Sequence, residues 1–336
     1  MNRLLLSLLM AATILTIISC DNDLNPYEPY KDIPVVYGFL SVQDSAHYVR
    51  VEKAFLDEST SAFDIAQIPD SLYYTNVIVQ LEDVASGTTH TFERVNGEDE
   101  GYPREPGTFA SSPNYLYKLK LEGSDSLLAN REYRLSVDRG QNLPLVTATT
   151  RTIGNVSVRQ PNSNFSKLVL TKTANLRWEF PEQARLFDVF VRFVYLEQNA
   201  QGQFEEKLFL WKIISGIKSD DNATDIQRQV DLSGFYQALG NALAPGPVRT
   251  LPQEDYVGFN INAYGFELEE YLELFNINSG LTSAETIPVY TNLEGDQAVG
   301  IFSSRYVLED NAFETDATSL DSLRFGQYTK NLGFSF

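Results

Sequence analysis

Residues 187–195 read FDVFVRFVY, with apolar side chains at every second position from Phe187 to Tyr195. This period of two is typical of a β-strand with one buried face, because successive side chains of a strand point to opposite faces of its sheet. Aromatic residues make up 12% of the chain and also favour strands. The sequence therefore predicts a mainly all-β protein. Further segments with this alternation are residues 49–51, 77–81, 115–121, 133–137, 176–180 and 256–264.

Turn-forming pairs such as Ser86-Gly87 and Asn96-Gly97 separate the expected strands of the first half. Many short strands with such turns indicate two tandem antiparallel β-sandwich domains, immunoglobulin-like or fibronectin-III-like, over residues 33–152 and 153–336. The second domain is expected to be larger, β-rich and interrupted by short helices. The two helical segments are residues 235–243, which Ser233 can cap, and residues 266–277.

The first residues have the layout of a secretory signal, because Arg3 precedes an apolar run over residues 4–18. That run is shorter than the roughly 20 residues that a membrane-spanning helix needs. Its end, Ile17-Ile18-Ser19-Cys20, resembles the bacterial lipobox, in which aliphatic and small residues precede a cysteine that is acylated and becomes the new N-terminus. We therefore expect residues 1–19 to be a lipoprotein signal peptide and Cys20 to be the lipidation site.

An ordinary secretory signal that happens to end near a cysteine is the alternative for this segment. Cys20 is the only cysteine of the chain, so an exported form has no internal disulfide and its fold depends on core packing alone. Lipidation accounts for a single cysteine in this compartment. Stable attachment takes more than one acyl chain, and the lipobox modification supplies acyl chains on both the thiol and the new amine.

Residues 20–32 are polar, acidic and without periodicity, which predicts a tether between the lipid and the folded body. Asp21 and Asp23 resemble the acidic residues that accompany surface export of Bacteroidota lipoproteins. Four Asp-Ser-Ala or Asp-Ser-Leu tripeptides resemble the O-glycosylation acceptor of exported proteins from the same phylum. Their serines are Ser45, Ser71, Ser126 and Ser322.

The formal net charge of −19 opposes binding to phosphate backbones, so we expect no nucleic-acid partner. The same charge is repelled by anionic lipid surfaces, and attachment to a membrane would therefore depend on the acyl anchor. Solubility is the simplest explanation of the charge itself.

The chain lacks the short motifs of zinc proteases, serine hydrolases, nucleotide-binding loops and dinucleotide-binding folds. Its two histidines, His47 and His90, lie in strand-like segments and are interpreted as strand residues with solvated or hydrogen-bonded rings rather than as catalysts. We therefore expect neither a catalytic residue nor a cofactor. Trp178 alternates with core positions and is expected in the core, whereas the sequence leaves the face of Trp211 open.

Oxygen ligands for calcium are available in the acidic segment of Asp220, Asp221 and Asp225, which makes these three residues weak metal candidates. The spacing departs from that of a dedicated calcium loop. A polar surface turn is therefore the preferred interpretation, and no metal site is expected.

Several segments together resemble an uncharacterised family of Bacteroidota lipoproteins. The matching segments are residues 36–40 (VYGFL), 47–55 (HYVRVEKAF), 69–74 (PDSLYY) and the closing signature of residues 290–295 (YTNLEG) and 300–305 (GIFSSR). One departure is residues 296–299 (DQAV), where the family pattern has a glycine-rich link. The resemblance implies a lipoprotein of the cell envelope, attached to the outer membrane and exposed at the cell surface.

Two functions are consistent with these features. The first is a lipid-anchored binding or accessory protein that partners an outer-membrane protein such as a transporter, with a small-molecule or glycan ligand left unidentified. The alternative is a carboxylate-dependent hydrolase of glycans or peptides at the cell surface. For the closing signature, the sequence favours a structural role, with glycines at a tight turn, Ile301 and Phe302 in the core and Arg305 in a local ion pair.

Overall fold

The computed structural model describes residues 33–54, 61–140, 142–161, 167–278, 290–295 and 297–336. Within these ranges the chain is mainly strand, so the prediction of an all-β, sandwich-like protein is confirmed. The strands are β1 (Ile33–Leu40), β2 (Ala46–Ala54), β3 (Ile78–Asp83), β4 (Thr88–Thr91), β5 (Glu93–Asn96), β6 (Tyr115–Lys120), β7 (Glu132–Asp138), β8 (Val146–Arg151), β9 (Ser157–Gln160), β10 (Thr173–Glu179), β11 (Leu186–Gln198), β12 (Phe204–Lys218), β13 (Asp225–Asp231), β14 (Arg249–Thr250), β15 (Val257–Tyr264) and β16 (Val299–Phe313). The helices are α1 (Ala62–Ala66), α2 (Pro69–Leu72), α3 (Phe235–Ala242), α4 (Phe266–Asn278) and α5 (Ala317–Phe325).

One nine-stranded sheet runs through both halves of the chain in the order β12-β11-β15-β16-β1-β2-β6-β5, with β14 paired to β11. Two smaller sheets, β4-β3-β7-β8 and β13-β10-β9, complete the set. Each small sheet shares a hydrophobic core with a different part of the large sheet. The result is two adjoining sandwiches with one sheet in common.

The first core lies between β3, β7 and β8 on one side and β1, β2, β6 and the start of β16 on the other. Val36, Val79 and Leu135 are among its fully buried residues. Their neighbours along each strand are more exposed, as the period of two predicts.

The second core is larger and rich in aromatic residues. Trp178 is fully buried and meets Phe187 edge to face, with ring centroids 5.8 Å apart, so its predicted core position is confirmed. Helix α3 adds Phe235 to this core, and Trp211 of β12 contacts that ring at 6.2 Å. Trp211 is therefore half-buried on the core side of its strand.

Strand β16 belongs to both sandwiches. Residues 299–304 pair in parallel with β1, and residues 305–313 pair antiparallel with β15. This parallel pair is an exception to the expected antiparallel order. It also places Phe302 and Leu293, which the sequence assigns to the second domain, in the core of the first sandwich.

Side-chain contacts hold the closing signature in place. The side chain of Asn292 accepts a hydrogen bond from the backbone N–H of Phe302 (2.9 Å) and donates one to its carbonyl (2.7 Å). Ile301 and Phe302 are buried, and Arg305 forms an ion pair with Asp44 at 3.0 Å. Ile301 and Phe302 are therefore in the core, as expected. Gly300 lies within β16 rather than at a tight turn, and the ion pair of Arg305 joins it to a residue far away in sequence rather than to a local one.

The helices predicted at residues 235–243 and 266–277 are present as α3 and α4, within one residue at each end. Helix α5 was not predicted; Asp316 caps it by accepting a hydrogen bond from the backbone N–H of Ser319. In the part of the chain that the structure describes, no helix combines the length and the apolar character needed to cross a bilayer.

Candidate ligand-binding groove

The outer face of the large sheet carries a groove over β1 and β2, opposite the first core. Alternation along these strands turns Val36, Val49 and Val51 inward, so Tyr37 and Arg50 point outward. Tyr37 and Arg50 are also direct cross-strand neighbours. The groove has a volume of about 660 Å³ and is lined by residues 37–39, 43–48, Arg50, Tyr102, Leu116 and Arg305.

Aromatic side chains form much of the groove surface. Tyr37 is 37% exposed and Tyr102 is 53% exposed, while Tyr48 lies edge to face with Tyr102 at a centroid separation of 4.9 Å. Burial and, after it, repulsion from Tyr271 and Glu52 raise the pKa of the Tyr37 phenol. This phenol therefore stays protonated at neutral pH and can donate a hydrogen bond.

A network of charged residues holds the aromatic wall in place. Glu52 accepts hydrogen bonds from Arg50 (2.9 Å) and from Arg104. Arg50 also donates to the Asn114 side chain (2.8 Å), which in turn donates to the backbone carbonyl of Tyr102 (2.7 Å). The guanidinium on the groove floor is thus linked to the loop that carries Tyr102.

A second link fixes Tyr48. Its hydroxyl donates to Glu100 at 2.8 Å, and Lys118 forms an ion pair with the same carboxylate. The hydrogen bond from Lys118 holds the pKa of Glu100 below its usual range, so Glu100 remains an acceptor for the tyrosine. Both links give the groove wall a defined geometry before any ligand binds.

His47 lies at the inner side of this groove and is only 1% exposed. It is paired across the strands with Leu119, and neither ring nitrogen has a hydrogen-bond partner among the described residues. Burial lowers the pKa of the imidazole, so the ring is neutral at pH 7. The strand position was predicted, but the ring is neither solvated nor hydrogen-bonded, because strand alternation turns it to the covered face.

The groove continues beyond β1. A second groove of about 410 Å³ shares Gln43, Asp44 and Arg305 with it and follows β16 to Glu309. There the Gln43 side chain donates to the Val307 carbonyl and accepts from the Val307 N–H, both at 2.8 Å. The Gln43 side chain therefore supplies hydrogen-bond partners for the β16 backbone beyond the end of β1.

A separate groove of about 550 Å³ lies at the start of α4 and contains Arg151, Arg185, Asp221 and Glu267 among its lining residues. Glu267 is half-buried and accepts a hydrogen bond from Ser303 at 2.7 Å. Burial raises the pKa of its carboxyl group despite that hydrogen bond. Asp221, by contrast, forms an ion pair with Arg185 at 2.8 Å.

The other predicted site residues are distributed as follows. Cys20, Asp21 and Asp23 lie outside the described residues. Ser45 is exposed and lines the groove over β1 and β2, whereas Ser71, Ser126 and Ser322 are half-buried. The hydroxyl of Ser71 donates to the carbonyl of Ile68, and that of Ser322 to the carbonyl of Thr318. Ser45 is thus the most accessible of the four predicted acceptors.

Residues 220–225 form a surface turn in which two of the three candidate metal ligands are ion-paired. Asp225 pairs with Arg177 at 3.0 Å and Asp221 with Arg185. Among the described residues, no three His, Cys, Asp or Glu side chains are grouped so that they could hold a metal ion.

Sequence reasoning did not identify the tyrosines and Arg50 of the groove as binding residues. Tyr37 and Tyr48 lie in segments that the sequence links only to a family resemblance, and Arg50 is marked only as an outward position of an alternating strand. Tyr102 lies in a loop with no periodic signal. Alternation marks the strand residues as outward-facing, but it does not show that this part of the outer face stays open.

No family model matches the chain, and no curated protein matches it by sequence. One solved structure with similarity is the C-terminal globular domain of an oligosaccharyltransferase from Pyrococcus abyssi, at 11% identity and a TM-score of 0.24. The match covers 84% of this chain and 48% of that one, so the chain spans about half the length of the protein it matches. A similarity this low carries no argument about function.

Proposed function

We propose that the protein is a lipid-anchored binding or accessory protein of the bacterial outer membrane, related to the Bacteroidota lipoproteins it resembles and acting beside a transporter. The observation that carries this proposal is the groove over β1 and β2, with tyrosine side chains exposed beside arginine. Tyrosine and arginine are the residue types that concentrate at binding interfaces, because each combines apolar area with hydrogen-bond donors.

The shape of the groove favours an elongated ligand. It joins the second groove at Gln43, Asp44 and Arg305, so the two together follow the sheet from Tyr102 towards Glu309. Exposed tyrosine rings can pack on sugar faces or on peptide side chains, and Arg50 can donate to carbonyl or hydroxyl oxygens. A glycan or an extended peptide segment is the ligand class that this surface suits.

The proposed anchor keeps the groove near the membrane. Residues 20–32 span at most about 45 Å when fully extended, and the first described strand begins at Ile33. A ligand held in the groove would therefore remain within reach of a transporter in the same membrane.

Binding can be measured by screening the protein against glycan and peptide arrays and then testing Tyr37→Ala and Tyr102→Ala. We expect each variant to weaken binding of a hit about tenfold, since a buried aromatic contact typically contributes over 1 kcal/mol. Tyr328→Ala is the matched control, because Tyr328 is 48% exposed and is not among the groove residues. Unchanged binding by both groove variants would contradict the proposed site.

The anchor is tested separately. The wild-type protein should incorporate an acyl-chain analogue and fractionate with outer membranes. Cys20→Ala should lose the label and leave the membrane fraction. A Cys20→Ala variant that stays with the outer membrane would refute lipid anchoring at this residue, whatever the groove binds.

A carboxylate-dependent hydrolase is the second candidate, and Glu267 favours it. Burial raises the pKa of this carboxyl group, which is the direction that a general acid requires, and Glu267 lines an open groove together with Arg185. Turnover of a glycan or peptide that is abolished in Glu267→Gln but not in Glu254→Gln, at an exposed site elsewhere, would establish the hydrolase. Binding without turnover supports the accessory protein.

A further inference from the structure

Strand β12 forms one edge of the nine-stranded sheet. It pairs with β11 in an uninterrupted register from Phe190↔Lys212 to Gln198↔Phe204. Among the described residues, no other strand pairs with β12. A long edge strand presents unpaired N–H and C=O groups, which are a template for pairing with another chain.

The two faces of β12 differ in burial. Phe209 and Trp211 face the second core, where they contact Phe235 with centroid separations of 6.1 and 6.2 Å. On the other face Leu208 is 49% exposed and Leu210 is 41% exposed. This edge therefore combines open backbone groups with exposed leucines.

The exposed face of β12 is self-complementary in charge. Its side chains in order are Glu206, Leu208, Leu210 and Lys212, all of them exposed. If two copies of β12 run antiparallel with Phe209 on the twofold axis, Glu206 of one copy faces Lys212 of the other. The same register places Leu208 opposite Leu210.

Other registers lack this match. A parallel in-register pair would oppose like charges at positions 206 and 212. An antiparallel pair shifted by two residues would set Leu208 against Lys212. Lys212 is already held on this face by Asp188 at 2.8 Å, and its ammonium group has further hydrogens to donate.

We propose that the protein forms a twofold dimer in which β12 pairs antiparallel with β12 of a second copy around Phe209. The large sheets of the two copies then form one continuous sheet. Each β12 is hydrogen-bonded to β11 on one side and to β12 of the other copy on the other side. A twofold interface uses the same patch on both subunits, which is what the order Glu-Leu-Leu-Lys on alternate positions provides. The proposal does not depend on the groove or on its ligand.

The dimer is tested with the detergent-solubilised full chain by analytical ultracentrifugation over a range of concentrations. We expect a monomer–dimer equilibrium in the wild type. Glu206→Lys places two lysine pairs across the interface and should weaken dimerisation at least about tenfold, since both attractions become repulsions. Glu98→Lys makes the same change of charge at an exposed site in the first sandwich and should leave the equilibrium unchanged.

A second variant separates repulsion from loss of fold. Glu206→Lys/Lys212→Gln removes the lysine–lysine contact while leaving an amide beside Asp188, and it should recover part of the dimer. Thermal melting of each variant checks that the fold is intact. A wild type that stays monomeric at all concentrations, or equal dimerisation by Glu206→Lys and Glu98→Lys, would overturn the proposal.

Cysteine cross-linking in membranes tests the register directly. Leu208→Cys/Leu210→Cys places a thiol opposite a thiol in each pair, whereas either single variant brings its thiols together only on the diagonal, about 7–8 Å apart. The double variant should form covalent dimers on oxidation far more readily than the singles. Cross-linking to a different protein, or equal yields in all three, would show that another partner or another register occupies this edge.

Discussion

The α-carbon of Gly300 packs against the backbone carbonyl of Val36, its partner in the parallel pair of β16 with β1, and leaves no space for a β-carbon. Gly300 also has a φ of +130°, a conformation that L side chains rarely adopt. Close approach and backbone conformation therefore both require glycine where the two sandwiches meet.

Gly300→Ala should lower the free energy of unfolding by about 3 kcal/mol or more, because backbone strain and a displaced strand pair add together. Gly246→Ala is the control, since Gly246 has a φ of +119° with open space around the position of the β-carbon. Gly246→Ala should therefore lower the free energy of unfolding only by the cost of the backbone strain. Urea denaturation measures both, and equal losses would mean that the contact with Val36 is unimportant.

Asn292→Ala removes the side chain that bonds both backbone groups of Phe302. We expect a loss of about 1–3 kcal/mol, because Phe302 is buried and its N–H and carbonyl would be left without these partners. Asn175→Ala, at an exposed position on β10, should change stability by less than about 0.5 kcal/mol. Similar melting temperatures for the two variants would contradict this role of Asn292.

Arg249 is buried and joins three segments of the second sandwich. It forms an ion pair with Glu197 at 2.6 Å and donates to the carbonyls of Ala244 (3.0 Å) and Leu332 (2.6 Å). Arg249→Met should cost about 3–5 kcal/mol, because the carboxylate and both carbonyls lose their donor. Arg228→Met, at an exposed arginine, is the comparison, and chemical denaturation of both variants would show whether the burial of Arg249 matters.

Asp83 predicts a dependence of stability on pH. Two hydrogen bonds from Arg131, at 2.7 and 2.9 Å, are the main reason that the pKa of Asp83 falls from 3.8 to about 2. A carboxyl whose pKa is lower in the folded state stabilises the fold above its unfolded pKa, and this contribution disappears as the pH falls through the folded value.

The difference in unfolding free energy between wild type and Asp83→Asn should therefore be constant above about pH 5 and shrink between about pH 4 and pH 2. Asp99→Asn, which alters an exposed carboxylate, serves as the reference for general acid effects. A difference that stays constant down to pH 2 would show that the pair with Arg131 does not lower this pKa.

Local patterns were enough to predict seven of the sixteen strands in the described residues. The alternation at residues 133–137 and 176–180 marks β7 and β10, because burial of one face of a strand appears directly in the spacing of apolar residues. The core position of Trp178 follows from the same spacing. Helices α3 and α4 were also accessible, since their apolar residues recur at helical intervals.

Long-range pairing was not accessible in this way. Nothing in the residues around Val36 indicates that Gly300 is their neighbour, because a parallel partner leaves no local periodic signal. The groove could not be predicted for the same reason. Alternation indicates which residues of β1 and β2 point outward, but their exposure depends on which other segments cover the sheet. Arg305 reaches the groove only through the non-local β1–β16 pair.

Strand β16, which belongs to both sandwiches, also affects when the two cores can be completed, because the chain is synthesised from its N-terminus. Strands β1 to β8 are synthesised long before Phe302, yet the first core contains that ring. The first core therefore lacks Phe302, and β1 lacks its partner β16, until residues 299–304 have been synthesised. Completion of the first core thus requires contacts between segments far apart in sequence, and such contacts should make folding slow.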